Sequence, residues 1–143
     1  MIDFIPLLAC VLMAVGMGSN DTSNAIGICI GCGIITLKRA ILGFGFFVLL
    51  GVYLHGEHVM KTAGTGVVDV NLTILSVACI ISSVLILASN WKKIPLSLTH
   101  VLIGSLAGAG AASGASVHYG NLFNIVLAWT ISPFVALVMA NLL

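Results

Sequence analysis

Apolar residues run along this chain in long blocks, and the polar residues fall in a few short interruptions between them. Blocks of about 20 apolar residues predict bilayer-spanning helices. The first block, Ile2 to Gly16, meets Gly16-Met17-Gly18-Ser19-Asn20-Asp21-Thr22-Ser23-Asn24, and an apolar stretch resumes at once from Ala25 to Thr36. Glycines together with Ser, Asn and Asp disfavour an unbroken helix. The pattern therefore predicts a discontinuous helix or re-entrant pair whose break lies at membrane depth. Ser19, Asn20 or Asp21 is then placed to cap the second half-helix.

Lys38-Arg39 marks a membrane surface, and Ala40 to Leu54 reads as a second span. His55 to Asn71, with Gly56, Gly64 and Gly66, reads as a polar connection, and its His55, Glu57, His58 and Lys61 as a solvated loop cluster. Leu72 to Ala88 is the cleanest span. Ser89-Asn90-Trp91-Lys92-Lys93 follows as an interfacial stretch, with Trp91 at headgroup level. A second polar opening, Ile94-Pro95-Leu96-Ser97-Leu98-Thr99-His100, leads into Val101 to Ala112 with Gly104, Gly108 and Gly110. Ser113 to Asn121 reads as a loop, and Leu122 to Leu143 as a last span broken at Ser132-Pro133. There is no internal repeat.

Composition narrows the class. The chain has 143 residues, 60% hydrophobic and 6% charged. Soluble domains carry about 25% charged residues, so this chain belongs in a membrane as a multi-pass protein, and the cell membrane is the expected location. Five or six passes would use all of it, as a single transmembrane domain over residues 1–143. The N-terminus carries Asp3 rather than a basic n-region, so no cleaved leader is expected. A net charge of +1 gives no reason to expect a nucleic-acid partner. Cys29 and Cys32 form a C-x-x-C, which with Gly31 and Gly33 reads as a small-residue packing face. The Gly104/Gly108 pair is likewise assigned to helix packing. No nucleophile–base pair or metal-ligand spacing is present, so neither catalysis nor a bound metal cofactor is expected.

Candidate chemistry concentrates in the two interruptions. Asp21 is the sharpest signal, because a carboxylate at membrane depth is costly and marks an ion path or proton relay. Its neighbours Ser19, Asn20, Thr22, Ser23 and Asn24 all bear oxygen, and such a set suits a hard cation such as Na⁺. The bland alternative is a helix cap near the surface. Ser97, Thr99 and His100 form the second group. Hydroxyls and free N–H groups at a helix start can hold an anion without a cationic side chain. Simple N-capping by Ser97 or Thr99 is the alternative there.

The two groups, in this order, resemble the inorganic phosphate transporter (PiT) family. Gly18-Ser19-Asn20-Asp21-Thr22-Ser23-Asn24 is similar to that family's Gly-x-Asn-Asp-x-x-Asn. Gly56 to Val59 and Thr62 to Gly66 are similar to its Gly-x-x-Val-x-x-Thr-x-x-x-Gly. Pro95 to His100 resembles its Pro-Val-Ser-Thr-Thr-His, and Trp129 to Pro133 its Trp-x-x-Ser-Pro. The resemblance implies an all-α polytopic fold in which this chain is one repeat of an inverted-repeat transporter, with discontinuous or re-entrant helices. It implies secondary active uptake of inorganic phosphate coupled to Na⁺ or H⁺, with no other cofactor. Asn20, Asp21 and Asn24 fall on the cation side, and Ser97, Thr99 and Asp21 at the anion. Ser19, Ser23, Thr62 and His100 are secondary candidates.

Two positions depart from the family pattern. Phe47-Val48 stands where the family has Phe-Glu, and Leu98 replaces the first Thr of its Thr-Thr pair. Sulfate is therefore an alternative anion. A non-transporting accessory subunit is the alternative of a different class. A single repeat needs a second half, either as an antiparallel homodimer or as a heterodimer with a separate subunit. Lys38, Arg39, Lys92 and Lys93 are expected on one side of the bilayer against Lys61, which favours one fixed orientation.

Overall fold

A computed structural model describes residues 4–94 and 96–142, with the side chains of 59–65 outside the description. Among the described residues there are five helices and no strand longer than an isolated bridge. They are α1 (Phe4–Gly31), α2 (Leu37–Thr65), α3 (Leu72–Lys92), α4 (Leu98–Ser113) and α5 (Tyr119–Leu142). All but α4 are long and apolar enough to cross a membrane. The chain is an all-α, multi-pass membrane protein, and among the described residues four helices are long enough to span and α4 is shorter.

The expected break in α1 is absent, since the helix runs through Gly16–Asn24 without interruption. Its polar side chains bond within the helix. Ser19 Oγ donates to the Gly16 carbonyl at 2.8 Å and Ser23 Oγ to the Ser19 carbonyl at 2.8 Å, while Asn24 Nδ2 donates to Asn20 Oδ1 at 3.0 Å. Backbonding of this kind lets hydroxyl residues sit mid-helix in place of opening it. Ser19, Asn20 and Asp21 therefore cap nothing. α5 likewise continues through Pro133. There Ser132 Oγ donates to the Ala128 carbonyl at 2.5 Å and Thr130 Oγ1 to that of Val126 at 2.9 Å. Hydroxyl side chains help proline sit within membrane helices in this way. The polar stretch from His55 is helical up to Thr65, so the α2–α3 connection is only 66–71.

The second expected interruption is present. α3 ends on Lys93 in the left-handed region, and α4 starts afresh at Leu98 with Ser97 in the N-cap position. Pro95, which the sequence pattern placed in this link, lies outside the described residues.

The packed body is α1, α3 and α4. Along α1 and α3, Ala9 and Met13 pack with Cys79, Gly16 lies against Ile86, and Ser19 bonds Asn90, so the two helices run parallel. α4 returns antiparallel, with Ala109 near Ile74 and Val101 near Ile81 and Leu85. This order puts Lys38, Arg39, Lys92 and Lys93 towards one end of the bundle, as the charge pattern predicts.

At the other end the two connections lock together. Val68 and Val117 form an antiparallel bridge, His118 N donates to the Val67 carbonyl at 2.9 Å, and Asn121 Nδ2 donates to that of Gly66 at 2.9 Å. Val67 and Val68 are fully buried, and a Cβ on Gly110 would collide with Val68. Close packing thus uses Gly110 and not Gly104 or Gly108, which have open space where a Cβ would go. Cys29 and Cys32 are exposed, and Gly31 has no close neighbour. That face does not pack within the described part of this chain. Gly33, at φ 72°, ends α1 in a left-handed turn.

Candidate functional site

Fold geometry brings the two polar interruptions together. Asn20, on the α1 face turned towards the end of α3, is 7% exposed. Its Nδ2 donates to the Leu96 carbonyl at 3.0 Å, across 76 residues of sequence. Leu96 directly precedes Ser97. One side-chain hydrogen bond therefore ties the polar face of α1 to the start of α4. A second tie lies beside it, where Asn90 Nδ2 of α3 donates to Ser19 Oγ at 2.8 Å.

α4 begins with unspent hydrogen-bonding capacity. Ser97 has extended dihedrals, φ −75° and ψ 118°, and its carbonyl accepts the first helical bond, from Val101 N at 3.1 Å. Its side chain makes no capping bond. The hydroxyl is engaged elsewhere, 2.5 Å from His100 Nδ1 and 3.4 Å from Thr99 Oγ1. Ser97 thus occupies the capping position without capping. First-turn N–H groups have no intrahelical acceptor, and with the helix dipole they favour an anion. His100 is itself held by α5, its ring stacking on Trp129 with centroids 3.7 Å apart and planes 29° from parallel.

Between α1 and the end of α3 lies a groove of about 420 Å³, lined by Ser19, Asn20, Ser23, Asn24, Ser89, Asn90, Lys93 and Ile94. Four residues from the sequence reading fall here: Ser19, Asn20, Ser23 and Asn24. They recur at helical spacing on one side of α1. Asp21 does not join them. It is exposed, lies on a different side of the same helix, and has no hydrogen-bond partner among the described residues. The single carboxylate expected at both the cation and the anion thus faces away from the groove. Ser97, Thr99 and His100 are exposed at the start of α4. Thr62 lies outside the described side chains.

Three groove residues escaped the sequence reading: Ser89, Asn90 and Lys93. Their stretch reads as interfacial because it ends in Trp91-Lys92-Lys93. The available signal was Ser89-Asn90 directly after an apolar span and one short link before Ser97. Lys93 is at φ 56° and ψ 34°, the one non-glycine positive φ among the described residues. A left-handed residue with a Cβ costs roughly 1–2 kcal/mol relative to the right-handed form.

Residues 17–143 match the model of a family described as the phosphate transporter family. A candidate phosphate permease of Pyrococcus furiosus is 30% identical over 149 residues, an alignment covering 96% of this chain and 36% of that protein. The chloroplastic inorganic phosphate transporter 2-1 of Arabidopsis thaliana is 29% identical over 99% of this chain and 26% of its own length. Sodium-dependent phosphate transporter 1 of Mus musculus is 31% identical over 88% of this chain and 20% of its own. The chain thus spans about a third or less of these curated relatives. No solved structure matches it.

Proposed function

The chain belongs to the phosphate transporter family, and from that premise we propose that it supplies one part of a pathway for secondary active transport of inorganic phosphate, coupled to Na⁺ or H⁺. The observation that carries the reading is the Asn20–Leu96 hydrogen bond, which sets the polar face of α1 beside the uncapped start of α4. The anion sits at the first turn of α4, receiving its free N–H groups and the hydroxyls of Ser97 and Thr99. His100 and Trp129 keep the Ser97 hydroxyl turned from the cap. The cation takes amide oxygens from Asn20 and Asn24, with Ser19 and Ser23 beside them. Na⁺ is favoured over H⁺ because these ligands are neutral oxygens and one relative is named as sodium-dependent.

Asp21 stands outside the groove, on another side of α1. A lone carboxylate on an exposed helix face is expensive in a bilayer, so a second, oppositely oriented half, either another copy or a separate subunit, covers it and shares its charge. The exposed lengths of α2 and α5, of which only Ala40 of α2 is buried among the described side chains, supply the surface for that half.

The test is uptake of ³²P-orthophosphate into proteoliposomes holding the full chain, with and without an inward Na⁺ gradient, against labelled sulfate. Na⁺-driven phosphate accumulation with sulfate excluded is expected. Uptake of sulfate instead reassigns the anion, and uptake of neither removes the transport reading in favour of an accessory role.

A further inference from the structure

The groove between α1 and α3 holds a positive charge and a spare hydroxyl that the transport reading leaves unused. Ser89 is 5% exposed, its Oγ has no hydrogen-bond partner, and the residue lines the groove. Ser82, the other unpartnered buried hydroxyl of α3, does not line it. A buried donor without an acceptor is costly, and the groove is the cavity this residue lines.

One helical turn on, Lys93 lines the same groove. It holds the left-handed position that closes α3, where glycine is the favoured residue. α1 and α4 close on glycines in that conformation, Gly33 and Gly114, both at φ 72°. A cation near a helix C-terminus complements the dipole, but Lys92 in the last turn already does this for α3. No acidic side chain lines the groove. Among the described residues, Lys93 is the one cationic residue that lines the groove, beside Ser89 and Asn90 of the same helix, and its charge suits an anion.

We propose that Ser89 and Lys93 form a receiving subsite for inorganic phosphate beside the start of α4, Lys93 attracting the oxyanion and Ser89 donating a hydrogen bond to it. Asn20 fixes its location, since the same side chain lines the groove and bonds the Leu96 carbonyl. The inference rests on the transport reading and adds two residues to it.

The test uses Lys93→Gly, Lys93→Arg and Ser89→Ala in the full chain, reading KM for ³²P-orthophosphate in proteoliposomes and the thermal midpoint in detergent. Lys93→Gly keeps the backbone conformation and removes the charge. Its midpoint is expected to hold or rise, while KM rises roughly tenfold, the order of one charge-assisted hydrogen bond, and loses its salt dependence. Lys93→Arg should restore both. Ser89→Ala is expected to raise KM several-fold without lowering the midpoint. Wild-type KM in both Lys93→Gly and Ser89→Ala, in a chain that carries phosphate, overturns the subsite and leaves the transport reading standing. A KM change in the lysine variant alone overturns the role of Ser89. A wild-type chain that takes up no phosphate removes the transport reading, and the subsite with it.

Discussion

The two ends of the α1–α3–α4 body are built on opposite principles. At the bridged end, two connections pair backbone to backbone, Val67 and Val68 are fully buried, and Gly110 lets them sit directly on α4. At the polar end, α3 stops on a strained lysine, α4 starts uncapped, and the helices are tied by amide side chains. At the first end the two connections close backbone to backbone over buried valines. The second keeps donors and acceptors in reserve around a groove. The lesson is a division of labour, in which one end holds three helices in register so that the other can leave hydrogen bonds free for a solute.

The largest effect expected from breaking this contrast is at Gly110. Gly110→Val overfills the bridged end and should lower stability by about 1–3 kcal/mol or more, seen as a lower thermal midpoint in detergent. Gly108→Ala, on the same helix but facing open space, should leave the midpoint nearly unchanged. Equal effects at the two glycines would remove the packing account.

Next in size is Ser97→Ala at the polar end. Loss of one hydroxyl from an anion should cost roughly 1.5–3 kcal/mol, read as at least a tenfold rise in phosphate KM, with the midpoint held because Ser97 caps nothing. A fall in stability with unchanged KM would make it a structural cap after all. Trp129→Ala should raise KM less, by a few-fold, because the ring acts through His100. Trp129→Phe should recover most of that loss by keeping an aromatic stack. The smallest effect belongs to Asp69→Asn. His118 Nε2 and Asp69 Oδ1 are 3.7 Å apart and partly exposed, so the change should stay within about 0.5 kcal/mol and leave uptake intact.

Much of this contrast was legible in the sequence, for identifiable reasons. Block hydrophobicity located all the long helices, because a bilayer leaves the backbone few other solutions. The Ser97 start of α4 was legible because the polar run opens a helix after a basic interfacial stretch. The continuity of α1 was not. Local propensity counts Ser19, Asn20 and Ser23 as breakers, whereas in the fold their side chains bond back to the helix or across to α3 and the 94–97 link. The groove residues Ser89 and Lys93 were hidden for a related reason. Their role depends on the parallel register of α1 and α3, which no single segment encodes. The side of α1 on which Asp21 lies was not legible either, because its chemistry was read without the helical phase that turns it away from Asn20 and Asn24.

The central claim is that the polar face of α1 and the start of α4 are one site. A double-mutant cycle on Asn20 and Ser97 tests it most directly, with phosphate KM measured for Asn20→Ala, Ser97→Ala and the pair in proteoliposomes. One site predicts that the double variant loses clearly less affinity than the sum of the two single losses, a coupling of about 0.5–3 kcal/mol. Strict additivity, with each single loss present, would mean two independent sites and would contradict the account.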